Sequence, residues 1–195
     1  ASLIDKSLLQ RTQGSAGEPR FVMLSTIREY AHAQLLASDE AAAIRDNHLA
    51  YYLQLAVGVT SQPNAMLPAQ LAQLEQEHDN LRAALRWTLA QEDVHSMARL
   101  VEAMLPFWDQ HGHSREGLQW LAAVAARRRQ LPPRAQAALL TDYAGAVATT
   151  GDYARAQQIY EDAAALWRTL DDAAGLAWIL CLMGGNAQYR EEYAQ

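Results

Sequence analysis

The chain has 195 residues, half of them hydrophobic and 19% charged, which excludes a disordered polar chain and leaves room for one large or two small domains. A net charge of −6 argues against a general nucleic-acid surface, and the lone Cys181 excludes an internal disulfide or a cysteine-built zinc site. No apolar run approaches a membrane span and no signal peptide opens the chain, so a cytoplasmic piece of a longer protein is expected.

Alanine and leucine are plentiful while valine and isoleucine are scarce, a bias toward helix. Two short apolar runs, Leu3–Leu9 and Phe21–Leu24, flank a polar stretch holding Gly14, Gly17 and Pro19, and read as a β-hairpin with a long tip. Thr26 and Glu29 have the spacing of a capping box, followed by a helical face of Ile27, Tyr30, Ala31 and Leu35. A second helix is expected from Ser38 or Asp39, with Ile44, His48, Tyr51 or Tyr52, Leu55 and Val59 on one face. Gly58, Pro63 and Pro68 punctuate the next stretch. The spacing of Leu67, Leu71, Leu74, His78, Leu81, Leu85 and Leu89 then predicts one long helix.

The second half repeats. Gly112 to Gly117 aligns with Gly151 to Ala156 at an offset of about 39 residues, and Tyr153 aligns with Tyr193. Leu105, Ala144 and Gly184 then coincide, as do Val101, Leu140 and Leu180. Each unit reads as a helix pair. The first helix ends at Gly112 or Gly151 in a left-handed cap. Ser114 or Asp152 caps the second, whose small residue (Gly117, Ala156) permits close approach. Paired helices repeating in this way predict a solenoid.

Gly151, Tyr153, Ala156, Tyr160 and Ala163, with Ala144, resemble the tetratricopeptide repeat pattern. The wider order is more specific: Leu-Ile-Asp-Lys-Ser-Leu-Leu (3–9), Arg-Phe-Val-Met-Leu-Ser-Thr-Ile-Arg-Glu-Tyr-Ala (20–31), Glu-His-Asp-Asn-Leu-Arg-Ala-Ala-Leu-Arg-Trp (77–87), Phe-Trp-Asp-Gln-His-Gly-His (107–113) and Glu-Gly-Leu-Gln-Trp-Leu (116–121). In this succession they resemble bacterial STAND-type signal-transduction ATPases, the large transcriptional regulators of LuxR-like and antibiotic-regulatory type. The resemblance implies a C-terminal winged-helix hairpin at 1–24, connecting helices at 25–62 and tetratricopeptide-like repeats at 63–195. The expected fold is all-α, a right-handed superhelix of helix pairs behind a short β-hairpin remnant of the winged helix. The implied partner is the ATPase core of the parent chain, with no direct DNA binding by this segment. Pro106 departs from the family-like run and is expected to kink its helix.

No Gly-x-x-x-x-Gly-Lys-Ser/Thr loop is present, and no enzymatic role or cofactor is expected. His111 and His113 have no nearby partner in the sequence and read as a helix-end pair, so no metal is expected. Arg127–Arg129 read as a helix-end cluster that complements the dipole. Cys181, Trp87, Trp108 and Trp120 read as core. Asp171-Asp172 reads as a turn, and neither it nor Glu191-Glu192 as catalytic.

What remains is the inner surface of the solenoid. The tetratricopeptide register puts Asp142, Gly145 and Thr149 on it from one repeat and Trp178, Cys181, Gln188 and Tyr189 from the next, with Arg99, Glu102 and Asp109 from the earlier one. The expected function is a non-catalytic sensor that binds a small inducer, a peptide or a protein there. Two alternatives stand beside it: a structural spacer without a ligand, and an anion- or nucleic-acid-contacting helix built on Arg127–Arg129.

Overall fold

The structure, a computed structural model, describes residues 3–13, 19–60 and 68–192, the last three by backbone alone. Gly14, Gly17, Pro63, Leu67 and Tyr193 lie outside the described residues, as do the side chains of Glu191 and Glu192.

An antiparallel hairpin pairs β1 (Gln10–Gln13) with β2 (Pro19–Val22) in the register Gln10 to Val22. Its first strand therefore falls on the polar stretch, while residues 3–9 form turns and bends. Helices follow: α1 (Ser25–Leu36), α2 (Ala41–Thr60), α3 (Pro68–Gln76), α4 (His78–Ala90), α5 (Val94–Gln110), α6 (Ser114–Ala125), α7 (Pro133–Ala148), α8 (Tyr153–Thr169) and α9 (Ala173–Glu192). The expected capping box does not form, because α1 starts a residue before Thr26 and Leu24 is the N-cap without a side-chain bond. Tyr30 is exposed, leaving Ile27, Ala31 and Leu35 as the half-buried face of α1. Ser38 donates to the Leu35 carbonyl, closing α1 instead of opening α2. In α2 the fully buried residues are Leu53 and Ala56, one position off the predicted face.

The single long helix expected over 67–89 is two. The chain breaks at Glu77, between α3 and α4, although the leucine spacing runs on across the break. Farther on, α5 continues as helix through Pro106, which leaves the Glu102 carbonyl without its usual N–H partner.

From α5 onward each helix packs on its successor, and α2 packs on α4 and α5. The core runs along these seams, with Met97, Leu100, Met104, Phe107 and Trp108 of α5 fully buried. The predicted glycine caps are present: Gly112 and Gly151 have φ of 77° and 85°. Glu92 and Asp171 occupy the same left-handed position at φ 56° and 51° after α4 and α8. Three aspartates open the following helices, Asp93, Asp152 and Asp172 accepting from the backbone N–H three residues on at 3.0, 3.1 and 2.9 Å. Asp171-Asp172 is thus a turn and a cap. Ser114 is no such cap: its hydroxyl donates instead toward the Trp108 carbonyl at 3.5 Å.

The packing repeat follows the first offset throughout. Val101, Leu140 and Ile179 are buried, whereas Leu180 is exposed, so the last helix is registered one residue earlier than the tyrosine alignment implied.

Candidate functional site

A cavity of about 410 Å³ opens between α5, α6, α7, α8 and α9. Asp109, Asp142, Gly145, Thr149 and Trp178 line it, joined by Leu105, Pro106, Tyr160 and Leu182. Its wall holds two carboxylates and no lysine, arginine or histidine. A Cβ at Gly145 would stand 3.6 Å from the Tyr160 hydroxyl, an ordinary contact. Asp142 also lines an adjoining cavity with Glu102. Asp142 is exposed at the surface, with protein packed densely around its carboxylate. That crowding, and then the charge of Glu102, push its pKa up to about 6. Burial, helped by Asp142, also raises the Tyr160 pKa. The Trp108 indole N–H is buried among these residues with no hydrogen-bond partner.

Arg99, Gln188 and Tyr189 lie outside that cavity. Tyr189 instead stacks on Tyr153 with ring centroids 5.9 Å apart, beside Asn186, which donates to the Tyr153 carbonyl. Cys181 is exposed, against the expectation of a core position. Trp178 is 61% exposed, yet it follows buried Leu139 by the packing repeat, so α9 presents an apolar face that its predecessors cover. Of the expected core tryptophans only Trp108 is fully buried. Trp87 is half-buried, donating to Asp46 at 2.8 Å beneath the Arg45 guanidinium, and Trp120 is also half-buried.

A second centre went unread in the sequence. At the break between α3 and α4, the Glu77 carboxylate accepts from Arg20 of β2, from Tyr52 of α2 at 3.0 Å and from Asn80 of α4 at 2.7 Å. Burial opposes its ionisation, but the bonds from Arg20, Asn80 and Tyr52 outweigh it and hold its pKa below the usual range. Asn80 therefore has a physical role, donating its amide N–H to Glu77 at the break between the two helices. One side chain ties the hairpin to two helices.

The helix-end histidines have partners after all. Glu75 Oε2 lies 3.3 Å from His111 Nδ1 and 3.1 Å from His113 Nε2, and His78 stands beside them. Folding brings α3 against the α5–α6 turn, which sequence spacing could not reveal. Arg127 and Arg128 donate to the Ala123 and Ala125 carbonyls at 3.0 and 3.2 Å, spending part of their donor capacity on the end of α6. Among the described residues, no helix is long and apolar enough to cross a membrane.

Residues 1–36 match the winged helix-turn-helix domain family, a stretch that takes in the hairpin and α1. Proteins named "Putative HTH-type transcriptional regulator", one from Mycobacterium bovis and two from strains of Mycobacterium tuberculosis, are each 31% identical over 207 aligned residues. The chain is similar to part of a transcriptional regulator. The alignments cover 98% of this chain and 22% of each relative, so the chain spans about a fifth of the length of the curated relatives it matches. No solved structure gives a significant match.

Proposed function

We propose that the chain is a non-catalytic sensor and interaction module of a transcriptional regulator, built as a right-handed superhelix of tetratricopeptide-like helix pairs. In this reading it binds an inducer or partner on the concave face and couples it to an ATPase core elsewhere in the parent protein. The cavity shared by α5 to α9 carries the reading, because five helices meet there around Trp178, Asp109 and Asp142. Its volume suits a small molecule or one anchoring side chain. Two carboxylates without a basic neighbour favour a ligand with a positive charge on an apolar body. A ligand that spans successive helices has different contacts in each relative arrangement of those helices. That difference is what shifts a population between two states.

The test is a thermal-shift screen of amines, other metabolites and basic peptides on the wild-type chain, Trp178→Ala and Asp142→Asn. A ligand at a hundred times its dissociation constant adds about 2.7 kcal/mol to stability, a shift easily seen. The shift is expected to disappear in both variants. A shift that survives both puts the ligand elsewhere, and no shift across the library favours the spacer reading.

The winged-helix match supports a second reading, contact with DNA through residues 1–36. Against it, Arg20 of the hairpin is turned onto Glu77 rather than presented to phosphate. Binding of duplex DNA that weakens steeply with salt, and further on Arg11→Glu, would favour this reading over the sensor.

A further inference from the structure

We propose that Glu75, His78 and His113, with His111 as a fourth donor, form a binding site for a divalent first-row transition-metal ion of the zinc type. One donor atom from each of Glu75, His78 and His113 lies within 4.8 Å of the others. The 3.1 and 3.3 Å separations between the Glu75 oxygen and the two imidazole nitrogens approach the edge of a tetrahedron, about 3.3 Å for donors about 2.0–2.1 Å from zinc. His111 lies outside the set of donors within 4.8 Å of one another, so it would have to move toward the other three to complete the site. Three imidazoles and one carboxylate are borderline donors, which favour zinc, nickel, cobalt or copper over magnesium and calcium.

The buried partner in this cluster is an independent observation. His78 is 6% exposed, and its Nε2 has no hydrogen-bond partner. Glu116 Oε2 is 3.2 Å from that nitrogen but out of line for a hydrogen bond, and Arg82 holds Glu116 with bonds of 2.8 and 2.6 Å. A ligand ring is oriented from behind through its other nitrogen, so with pinned Glu116 beside Nε2 the nitrogen that His78 would turn to the ion is Nδ1. A buried imidazole with an unpaired nitrogen is costly unless something takes up its lone pair or proton. Phe107 adds rigidity, stacking on His111 and His113 at 5.2 and 5.3 Å and meeting His78 edge-on at 5.0 Å. The donors come from the end of α3, the start of α4 and the α5–α6 turn, so a bound ion cross-links three places along the chain.

The experiment titrates Zn²⁺ into the untagged, chelator-stripped chain against a chromophoric chelator, and records the visible spectrum with Co²⁺ in its place. One equivalent is expected to bind, with a four-coordinate Co²⁺ spectrum. Glu75→Gln and His113→Ala are each expected to weaken binding at least about tenfold, while exposed His95→Ala leaves it unchanged. His78→Ala threatens the fold, so the decision rests on the two partly exposed ligands, each checked for an unchanged helical spectrum. Absence of one-equivalent binding overturns the proposal. Binding that survives both variants, or falls equally in His95→Ala, overturns it as well.

Discussion

Gly117 of α6 lies against the indole of Trp108 in α5, so closely that a Cβ would sit 2.9 Å from Cε3. Gly175 of α9 does the same with Trp167 of α8, where an added methyl would run into the ring. In both places a missing side chain sets how near two helices come. Gly117→Ala and Gly175→Ala are each expected to cost about 1–3 kcal/mol, because the overpacking outweighs the helix-propensity gain of alanine. Gly184→Ala, with nothing within 4 Å of its Cβ, should gain up to about 1 kcal/mol. Urea denaturation of the three variants checks the contrast in sign.

The left-handed positions after four helices make a second set. Gly112 and Gly151 adopt them freely, whereas Glu92 and Asp171 do so at a steric cost. Glu92→Gly is expected to stabilise by up to about 1 kcal/mol, and Gly151→Ala to destabilise by about 1 kcal/mol although open space surrounds it. Thermal melts of the pair decide it.

Asp142 imposes a pH dependence. Its pKa stands at about 6 in the folded chain against 3.8 in the reference state, so ionisation costs the native state more than the unfolded one. The contribution is fully favourable below about pH 4 and is lost as pH rises through about 6. Asp142→Asn should therefore raise the melting temperature at pH 7.5 and leave it nearly unchanged at pH 4. Melts across that range, wild type against variant, provide the check.

Glu77 joins three chain segments, and its removal should be felt in all of them. Glu77→Ala is expected to cost about 1–3 kcal/mol by leaving partly buried donors unpaired. Tyr52→Phe removes one bond and should cost about 1 kcal/mol. Limited proteolysis adds a local readout: cleavage after Arg20 should speed up in Glu77→Ala more than in Tyr52→Phe.

Much of the helical stack was legible because its signals are local. Gly112, Gly151 and Asp152 end or start helices through their own backbone and side chain, without help from distant residues. The break at Glu77 was not legible, since the leucines on either side keep helical spacing and the carboxylate's partners lie 25 and 57 residues away. The same holds for Glu75 and His113, brought together across 38 residues. In the groove, helical register carried Asp142, Gly145, Thr149 and Trp178 to one cavity, but Tyr189 turned to Tyr153 on the neighbouring helix. Cys181 misled because α9 has apolar residues all round, so composition could not say which side is covered.

A carboxylate shared among Arg20, Tyr52 and Asn80 behaves as a latch rather than as three separate bonds. Among the described residues, swinging the hairpin away withdraws the one full positive charge that it accepts from, and leaves a half-enclosed anion facing two neutral donors. Water must then enter to replace the lost guanidinium, so release and local hydration occur together.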